Sequence, residues 1–334
     1  MYDVLTIGTA TRDIFLTGKA FRVLKDPEHL KKIGFATGEA ECFALGSKIE
    51  VEAPVFTIGG GAANAAVTFS RQGFKTAAFM KAGIDQEAEA IRETLKREKI
   101  APLLARDKKQ GTAYSTILLT ASGERTILVY RGASSDLRAQ DIPSQKLRAK
   151  WAYLAPGATP FPLIEEIVRR LGEHKTKIAL NPSKHYLEGK GERLRPLLKK
   201  LAVTIVNREE ASRLTGVSYE NVRGIFKKFD ELVPGIAVMT DGPRGAVVSD
   251  GRYLYRAGTF KERALVDRTG AGDAFGSGFV AGLIERNDIT YALRLAAANA
   301  TSVVEQIGAQ PGILRQKEFR NKRWQYLNLD VEPL

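Results

Sequence analysis

The stretch that decides the fold runs from Val266 to Phe275 and reads Val-Asp-Arg-Thr-Gly-Ala-Gly-Asp-Ala-Phe. The apolar run Ala264–Val266 precedes the glycines and indicates the end of a buried strand. Phe275, Phe279 and Leu283 follow at every fourth residue, as expected for one face of a helix. The Gly-Ala-Gly turn is therefore predicted to join a strand to a helix.

The predicted start of this helix combines an anion site with a carboxylate. The first backbone N–H groups of a helix are unpaired and carry the positive end of its dipole. Gly270 and Gly272 let an anion approach these groups closely, and Asp273 follows at once. An anion cradle beside a base is what transfer of a phosphoryl group to a hydroxyl requires. An ordinary helix start favoured by the dipole would have the same spacing, so both interpretations stay open on spacing alone.

The wider pattern, Asp267 to Phe275, closely resembles the C-terminal signature of the ribokinase-like (PfkB) family of carbohydrate and nucleoside kinases. The resemblance implies that Asp273 is the general base and that Gly270, Ala271 and Gly272 form the anion hole. Arg268 departs from the family pattern, which usually has a small residue there. Its charge would favour an already phosphorylated acceptor or form a surface ion pair, and we favour the ion pair.

A second glycine-rich turn lies near the N-terminus. Gly59, Gly60 and Gly61 follow a short predicted strand and permit a tight turn, and Asn64 offers both a hydrogen-bond donor and an acceptor. This turn resembles the family's N-terminal signature, which implies contacts with acceptor hydroxyls. Asp13 stands where the family's first βα junction carries an Asp that binds a sugar diol. A plain strand-to-helix turn and a solvated loop Asp are the alternatives.

Two acidic residues, Glu210 and Asp267, are candidates for cation binding. Asn207 and Glu210 match an Asn-x-x-Glu pattern that, in the family, helps to order Mg²⁺ and phosphate through water; a helix start with favourable acidic residues is the alternative. Gly308–Pro311 resembles the closing loop of ribokinase-type relatives. In those relatives this loop and the Asp equivalent to Asp267 can surround a monovalent cation, so the resemblance implies K⁺ in addition to Mg²⁺.

The candidate nucleotide-binding residues lie in the second half of the chain. Thr240, Gly242 and Gly245 resemble the family's Thr-x-Gly-x-x-Gly nucleotide loop, in which Arg244 could reach a phosphate. Asn299, in a predicted helix of small residues, matches a family position beside the adenine. These matches imply ATP as the donor, whereas a plain hairpin turn would look the same around Thr240.

Strands and helices alternate along most of the chain, which predicts a mostly parallel sheet with helices on both faces. The predicted strands are Asp3–Gly8, Thr76–Ala82, Trp151–Ala155, Lys177–Leu180, Val203–Val206 and Ile236–Thr240. The predicted helices are Ala62–Gln72, Gln86–Glu98, Pro162–Glu173, Leu187–Lys200, Glu209–Thr215 and Asn221–Leu232. The fold class is therefore α/β, a three-layer α/β/α domain that spans residues 1–334.

Two regions interrupt the alternation. Lys25–Ile33 is predicted as a short helix, and Cys42–Pro54 shows partial alternation. Thr112–Leu119 and Arg125–Tyr130 read as a hairpin with a glycine turn. The resemblance implies that such segments, approximately 14–20, 40–57 and 112–130, form a small β-sheet lid over the acceptor site. Open strand edges in the lid could pair between subunits and make a homodimer.

Composition and charge limit the partners and the cellular location to be expected for this protein. The 334 residues are 44% hydrophobic and contain 51 Lys or Arg against 38 Asp or Glu, a net charge of +13 that would attract an anionic substrate such as ATP. The basic cluster at residues 315–323 lacks a nucleic-acid motif, so we predict no specific nucleic-acid partner. No apolar run reaches the roughly 18 residues of a membrane helix. The single cysteine excludes an internal disulfide and fits a reducing, cytoplasmic location.

The sequence thus predicts an ATP-dependent kinase of a small sugar. A nucleoside kinase of the same fold is the alternative, and Phe35, Phe43 and Phe56 would offer an apolar slot for the base. A non-catalytic sugar- or nucleic-acid-binding protein is the rival of another class. A nicotinamide dehydrogenase is disfavoured because only Gly8 is present at the first strand, where Gly-x-Gly-x-x-Gly is needed. A P-loop enzyme is disfavoured because no Gly-x₄-Gly-Lys-Ser/Thr loop occurs.

Overall fold

Strands and helices alternate along the computed structural model, which describes residues 1–18, 21–35, 37–120, 124–142, 147–187 and 191–334. The strands are β1 (Tyr2–Gly8), β2 (Thr11–Thr17), β3 (Arg22–Lys25), β4 (Glu39–Cys42), β5 (Val55–Gly59), β6 (Thr76–Ala82), β7 (Ala101–Arg106), β8 (Tyr114–Leu119), β9 (Arg125–Tyr130), β10 (Ala149–Ala155), β11 (Lys177–Leu180), β12 (Val203–Asn207), β13 (Ile236–Thr240), β14 (Ala246–Ser249), β15 (Tyr253–Ala257) and β16 (Leu329–Pro333). The helices are α1 (Pro27–Lys32), α2 (Gly61–Arg71), α3 (Gln86–Arg97), α4 (Phe161–Glu173), α5 (Lys184–Leu187), α6 (Gly191–Leu198), α7 (Arg208–Thr215), α8 (Val222–Leu232), α9 (Ala271–Arg286), α10 (Ile289–Val304) and α11 (Gln316–Phe319). Short 3₁₀ turns occur at Gly132–Ser135, Ala139–Asp141, Gly242–Arg244 and Lys322–Trp324.

The main sheet has the strand order β16-β15-β14-β13-β12-β11-β10-β1-β6-β7 in the described part of the chain. From β13 to β7 every neighbouring pair is parallel, and β14, β15 and β16 add an antiparallel edge. This confirms the predicted mostly parallel sheet. The antiparallel edge was not predicted, because β14 and β15 are short strands without a clear alternation of their own.

The sheet is covered on both faces, as its parallel strands require. Leu5 and Ile7 of β1 belong to one apolar core, together with side chains from α4, α6, α7 and α8. Val4 belongs to the core on the other face, with side chains from α9 and α10. Successive strand residues point to opposite faces, so this division places helices in a layer on each side. The three-layer α/β/α class is therefore confirmed.

Helix boundaries follow capping residues. The Asp85 carboxylate accepts a hydrogen bond from the Ala88 backbone N–H at 2.9 Å and starts α3, and Asp288 does the same for α10. Helix α7 ends at Gly216, which has a left-handed φ of +71°. Of the helix predicted over Leu187–Lys200, the structure describes α6 and the last residue of α5, and residues 188–190 lie outside the described residues.

A second, four-stranded sheet has the order β5-β2-β8-β9 and forms the small lid that was expected. The β8–β9 hairpin is antiparallel, as predicted. The first expected lid segment, 14–20, contributes β2, although residues 19 and 20 lie outside the described residues. The second, 40–57, joins this sheet only from Val55 onward, because β4 pairs with β3 in a separate two-stranded sheet. The described residues 43–54 contain no strand.

The outer edge of the lid is formed by β9, whose residues from Thr126 to Tyr130 are exposed. That edge is where the predicted pairing between subunits would take place, and the homodimer stays a prediction. Within the described residues, no helix combines the length and apolar character that crossing a bilayer requires.

Candidate active site

The loop before α9 is held in shape by a buried carboxylate. Asp267 is fully buried; its Oδ1 accepts hydrogen bonds from the Thr269 N–H at 2.9 Å and the Thr269 hydroxyl at 2.6 Å. Its Oδ2 accepts from the Gly308 N–H at 2.9 Å. Asp267 thus ties this loop to the loop at Gly308. Protein donors contact both oxygens of Asp267. Binding of a monovalent cation by Asp267 stays a prediction.

Gly270 begins α9 in a conformation that suits glycine. Its φ is +79°, and a Cβ there would lie 2.3 Å from the Ala309 Cβ. At Gly272, by contrast, a Cβ would meet no atom within 4 Å. A side chain at position 272 would therefore point into open space, and Gly272 itself lines the cavity described below.

Asp273 lies in the first turn of α9 and receives a hydrogen bond from Asn64 of α2. The Asn64 Nδ2 donates to the Asp273 Oδ2 at 2.9 Å, and the Asn64 Oδ1 accepts from the Gln310 Nε2 at 3.1 Å. Burial raises the pKa of Asp273, and the hydrogen bond from Asn64 opposes that rise. A Cβ at Gly61 would lie 3.3 Å from the Asp273 Oδ1. The fold thus brings the two glycine-rich signatures together around one carboxylate.

Asp13 lies in β2 of the lid, whereas the sequence suggested a loop. Its carboxylate is buried and accepts a hydrogen bond from the Thr11 hydroxyl at 2.8 Å. Burial raises the pKa of Asp13, although the hydrogen bonds from Thr11 and Ser115 oppose the rise. A Cβ at Gly59 would lie 2.0 Å from the Asp13 Oδ2, so only glycine lets β5 pass this close. Gly60 caps α2 beside the same turn.

A cavity of about 310 Å³ lies between the β13–β14 turn and the start of α9. One end is lined by Arg268, Ala271 and Gly272. Its other walls include Thr240, Gly242, Gly245 and the apolar side chains of Phe260 and Val304. The predicted nucleotide loop and the predicted anion hole therefore face one common cavity.

Arg244 does not line this cavity within the conformation described. Its guanidinium contacts the Asp241 carboxylate at 2.7 Å and donates to the Tyr219 hydroxyl at 2.7 Å. Arg208 contacts the same carboxylate at 2.8 Å. The Arg244 side chain is thus held by Asp241 and Tyr219 at the predicted nucleotide loop, and its contact with a phosphate stays a prediction.

Asn207 and Glu210 cap α7 reciprocally. The Asn207 Oδ1 accepts from the Glu210 N–H at 2.9 Å, and the Glu210 Oε2 accepts from the Asn207 N–H at 2.9 Å. Burial raises the pKa of Glu210. The capping box explains the Asn-x-x-Glu spacing by itself, and nucleotide and Mg²⁺ binding there stay predictions. Among the described residues, no group of three His, Cys, Asp or Glu side chains is arranged to hold a metal ion.

Asn299 is fully buried and faces the interior of the protein. Its amide donates to the Thr68 hydroxyl at 3.2 Å and the Ala274 carbonyl at 2.8 Å, and its oxygen accepts from the Leu314 N–H at 2.9 Å. Both amide protons are used within the protein, and the contact with adenine stays a prediction.

One face of α10 lines the cavity, and this face was not predicted from the sequence. Its lining residues are Ala297, Ala300, Thr301 and Val304. Their spacing of i, i+3, i+4 and i+7 is one helical face, and this stripe of small and β-branched residues is the signal that could have located it. Asn299 lies off this stripe.

A family model described as pfkB family carbohydrate kinase matches residues 28–316. The nucleoside kinase of Methanothermobacter thermautotrophicus is 27% identical over 261 residues, which cover 76% of this chain and 81% of that protein.

Two solved structures share the fold. A probable sugar kinase from Rhizobium etli CFN 42 superposes with a TM-score of 0.77 at 23% identity and covers 96% of this chain and 98% of its own. Arabidopsis thaliana ribokinase complexed with ribose and ATP has a TM-score of 0.74 at 20% identity, with 97% and 99% of the two chains covered. At these identities the likeness establishes the fold.

Proposed function

The chain belongs to the pfkB family of carbohydrate kinases, and we propose that it transfers the γ-phosphoryl group of ATP to a hydroxyl of a small sugar. One observation carries the proposal: the Asp273 carboxylate follows directly on Ala271 and Gly272, which line the cavity beside the nucleotide loop. A hydroxyl that reaches this carboxylate would stand next to the terminal phosphate of a nucleotide in that cavity.

In the proposed reaction Asp273 accepts the proton of the acceptor hydroxyl. The hydroxyl oxygen attacks the γ-phosphorus, the bond from this phosphorus to the β–γ bridging oxygen breaks, and ADP leaves with that oxygen. A carboxylate whose pKa is raised by burial is a better base near neutral pH than an exposed one. Asn64 fixes the carboxylate through its 2.9 Å hydrogen bond.

Charge on the transferred group would be stabilised by the backbone amides of Gly270, Ala271 and Gly272. Removing one preorganised donor of this kind typically costs about 2.7–4 kcal/mol of transition-state stabilisation. Mg²⁺ bound with the nucleotide would neutralise phosphate charge. Glu210 is the carboxylate we expect to hold its waters, in keeping with the few protein ligands that Mg²⁺ takes beside phosphates.

The acceptor site would be formed by Asp13, Asn64 and the turn at Gly59–Gly61. The buried Asp13 carboxylate can accept two hydrogen bonds from neighbouring hydroxyls, and it approaches from the lid. A lid placed there would exclude water, which would otherwise compete with the acceptor for the phosphoryl group.

A nucleoside is the second candidate acceptor, and the similarity to a nucleoside kinase favours it. Phe56 of β5 has an exposed ring with the Arg12 guanidinium 5.2 Å from its centroid, and it offers an apolar surface to a base at the lid. Phe43 packs edge-on against Phe21 at 5.7 Å between ring centroids, so its ring is already engaged by another part of the chain.

ATP consumption should be measured with a panel of pentoses, hexoses, sugar phosphates and nucleosides. The proposed function predicts acceptor-dependent ADP formation with at least one sugar, and a nucleoside preference would select the second candidate. Asp273→Asn should abolish most turnover, and Asp330→Asn, on exposed β16, is the matched control for loss of one carboxylate. A protein that binds sugars or nucleic acid and consumes no ATP with any acceptor would refute the kinase proposal.

A further inference from the structure

Arg268 occupies an unusual place in the donor cavity. Its side chain is about half exposed, with a relative accessibility of 47%, and it lines the cavity beside Ala271 and Gly272. Among the described residues that line this cavity, Arg268 is the one with a positive charge; the wall also holds the acidic Glu262. The terminal phosphates of a nucleotide in this cavity would therefore meet one protein cation, and it lies next to the anion hole.

The guanidinium of Arg268 faces the tip of the lid. Its Nη2 lies 3.9 Å from the Glu124 Oε1, and Glu124 directly precedes β9. The Glu124 carbonyl also closes the β8–β9 hairpin, because it accepts hydrogen bonds from the Thr120 N–H at 3.0 Å and the Thr120 hydroxyl at 2.8 Å. Within the described residues, this 3.9 Å ion pair joins the end of the lid to the anion loop.

This ion pair is easily exchanged. Both side chains are exposed, 47% for Arg268 and 62% for Glu124, and the charged atoms are 3.9 Å apart, beyond hydrogen-bond distance. Pairs of this kind contribute little, because water and salt screen them. A phosphate group is a stronger partner for arginine, since the guanidinium fork can donate two parallel hydrogen bonds to its oxygens.

We propose that Arg268 is a further catalytic residue, whose guanidinium leaves Glu124 and binds the γ-phosphoryl oxygens of the donor during transfer. The proposal rests on the proposed kinase function and adds a residue that the family resemblance does not supply, because relatives usually carry a small residue at this position. Glu124 then serves as the resting partner of Arg268, and arrival of the triphosphate breaks the link between the anion loop and the lid.

The sequence alone leaves two roles open for Arg268. An acceptor phosphate would need the charge on the side of Asp13 and Asn64, but Arg268 lines the cavity shared with Thr240 and Gly242. The surface ion pair favoured from the sequence is present as the contact with Glu124, and its exposure lets the guanidinium exchange this partner for a phosphate.

The test compares binding of a triphosphate and a diphosphate without any acceptor. Calorimetry with Mg²⁺ and either β,γ-imido-ATP or ADP is performed on the unmodified protein, Arg268→Ala and Arg268→Lys. Arg320→Ala removes one exposed charge elsewhere and is the matched control. We expect Arg268→Ala to weaken the triphosphate about tenfold and ADP less than about twofold, with partial recovery in Arg268→Lys because the charge remains.

Turnover provides the second measurement, with ATP and the best acceptor of the panel. We expect kcat of Arg268→Ala to fall about 10²-fold, as for loss of another transition-state donor. Glu124→Gln should bind the triphosphate as tightly as the unmodified protein or more tightly, because it frees the guanidinium. Equal effects of Arg268→Ala on ATP analogue and ADP, or no effect on either, would overturn the proposal, as would a Glu124→Gln variant that loses activity like Arg268→Ala.

The two proposals fail in different ways. Unmodified protein that binds no nucleotide and shows no turnover would overturn the kinase function and the role of Arg268 together. Unmodified protein that is active, with an Arg268→Ala variant that is equally active, would overturn only the role of Arg268. Melting curves establish that each variant is folded, and Arg268→Thr, which carries the residue often found in the family, replaces Arg268→Ala if that variant does not fold.

Discussion

Replacing Asn64 by Ala tests whether Asn64 tunes the pKa of Asp273, the proposed general base. Asn64 is buried, and its Nδ2 is 2.9 Å from the Asp273 Oδ2. The substitution removes a hydrogen-bond donor that stabilises the charged form of the carboxylate, while burial still disfavours that form. The pKa of Asp273 should therefore rise above its value in the unmodified protein.

The size of this rise follows from the hydrogen bond. A hydrogen bond to a charged group is worth about 1.5–3 kcal/mol. Loss of the Asn64 donor should thus remove about 1.5–3 kcal/mol of stabilisation from the charged carboxylate and raise the pKa of Asp273. Because a general base acts only when deprotonated, the acid limb of the activity profile should move to higher pH as the pKa rises.

The assay is kcat/KM for the acceptor as a function of pH, with ADP formation as the readout. Gln310→Ala is the control, because its Nε2 contacts the Asn64 Oδ1 at 3.1 Å and lies one hydrogen bond further from Asp273. We expect its acid limb to shift much less. If Asn64→Ala lowers activity equally at every pH, or if both variants shift alike, the idea that Asn64 tunes the pKa of the base is refuted.

Three further predictions concern the base, the anion hole and the ion pair of Lys81 with Asp107. Asp273→Asn should lower kcat by roughly 10²–10⁴ with little change in the ATP dissociation constant, measured by kinetics and calorimetry; near-normal turnover would contradict the role of a base. Gly272→Ala should weaken ATP binding and leave the melting temperature unchanged or higher, because a Cβ there meets only open space. Gly270→Ala should lower the melting temperature, because a non-glycine residue at its positive φ carries about 1–3 kcal/mol of backbone strain. Equal melting temperatures of the two variants would refute this contrast. Two backbone amides and then Lys81 lower the pKa of Asp107 from 3.8 to about 2, so its contribution to stability is present above pH 3.8 and is lost as the pH falls toward 2. Denaturation at several pH values should show that Lys81→Met loses less of its free energy of unfolding over this range than the unmodified protein does. An unchanged loss would contradict the contribution of Lys81.

Much of the fold could be predicted from the sequence because its signals are local. A buried parallel strand such as β6 is a short apolar run, and α7 shows both its acidic start and its glycine end. The glycines of the two turns are equally visible, since only glycine tolerates a positive φ at Gly270 or the approach of Asp13 to Gly59. These features depend on residues that are adjacent or nearly adjacent in the chain.

Other features could not be predicted because the sequence does not say which way a side chain faces. Asn299 matched a family position, yet its helix turns it inward to Thr68 and Leu314. The capping box of Asn207 and Glu210 has the same spacing whether or not a metal binds. The antiparallel edge formed by β14 to β16 depends on pairing between distant segments, which a pattern of short strands leaves open.

The sequence by itself determined the alternating α/β architecture and the glycine turns, with an acidic residue at the start of α9. The tertiary structure decided that Asn64 meets Asp273 and that Arg268 lines the cavity at the start of α9 while it contacts Glu124. The physical reason is range: conformational preferences act over a few residues, whereas these contacts join distant parts of the chain. They form only when packing of the helices against the sheet brings the carboxyl ends of its strands and the lid together.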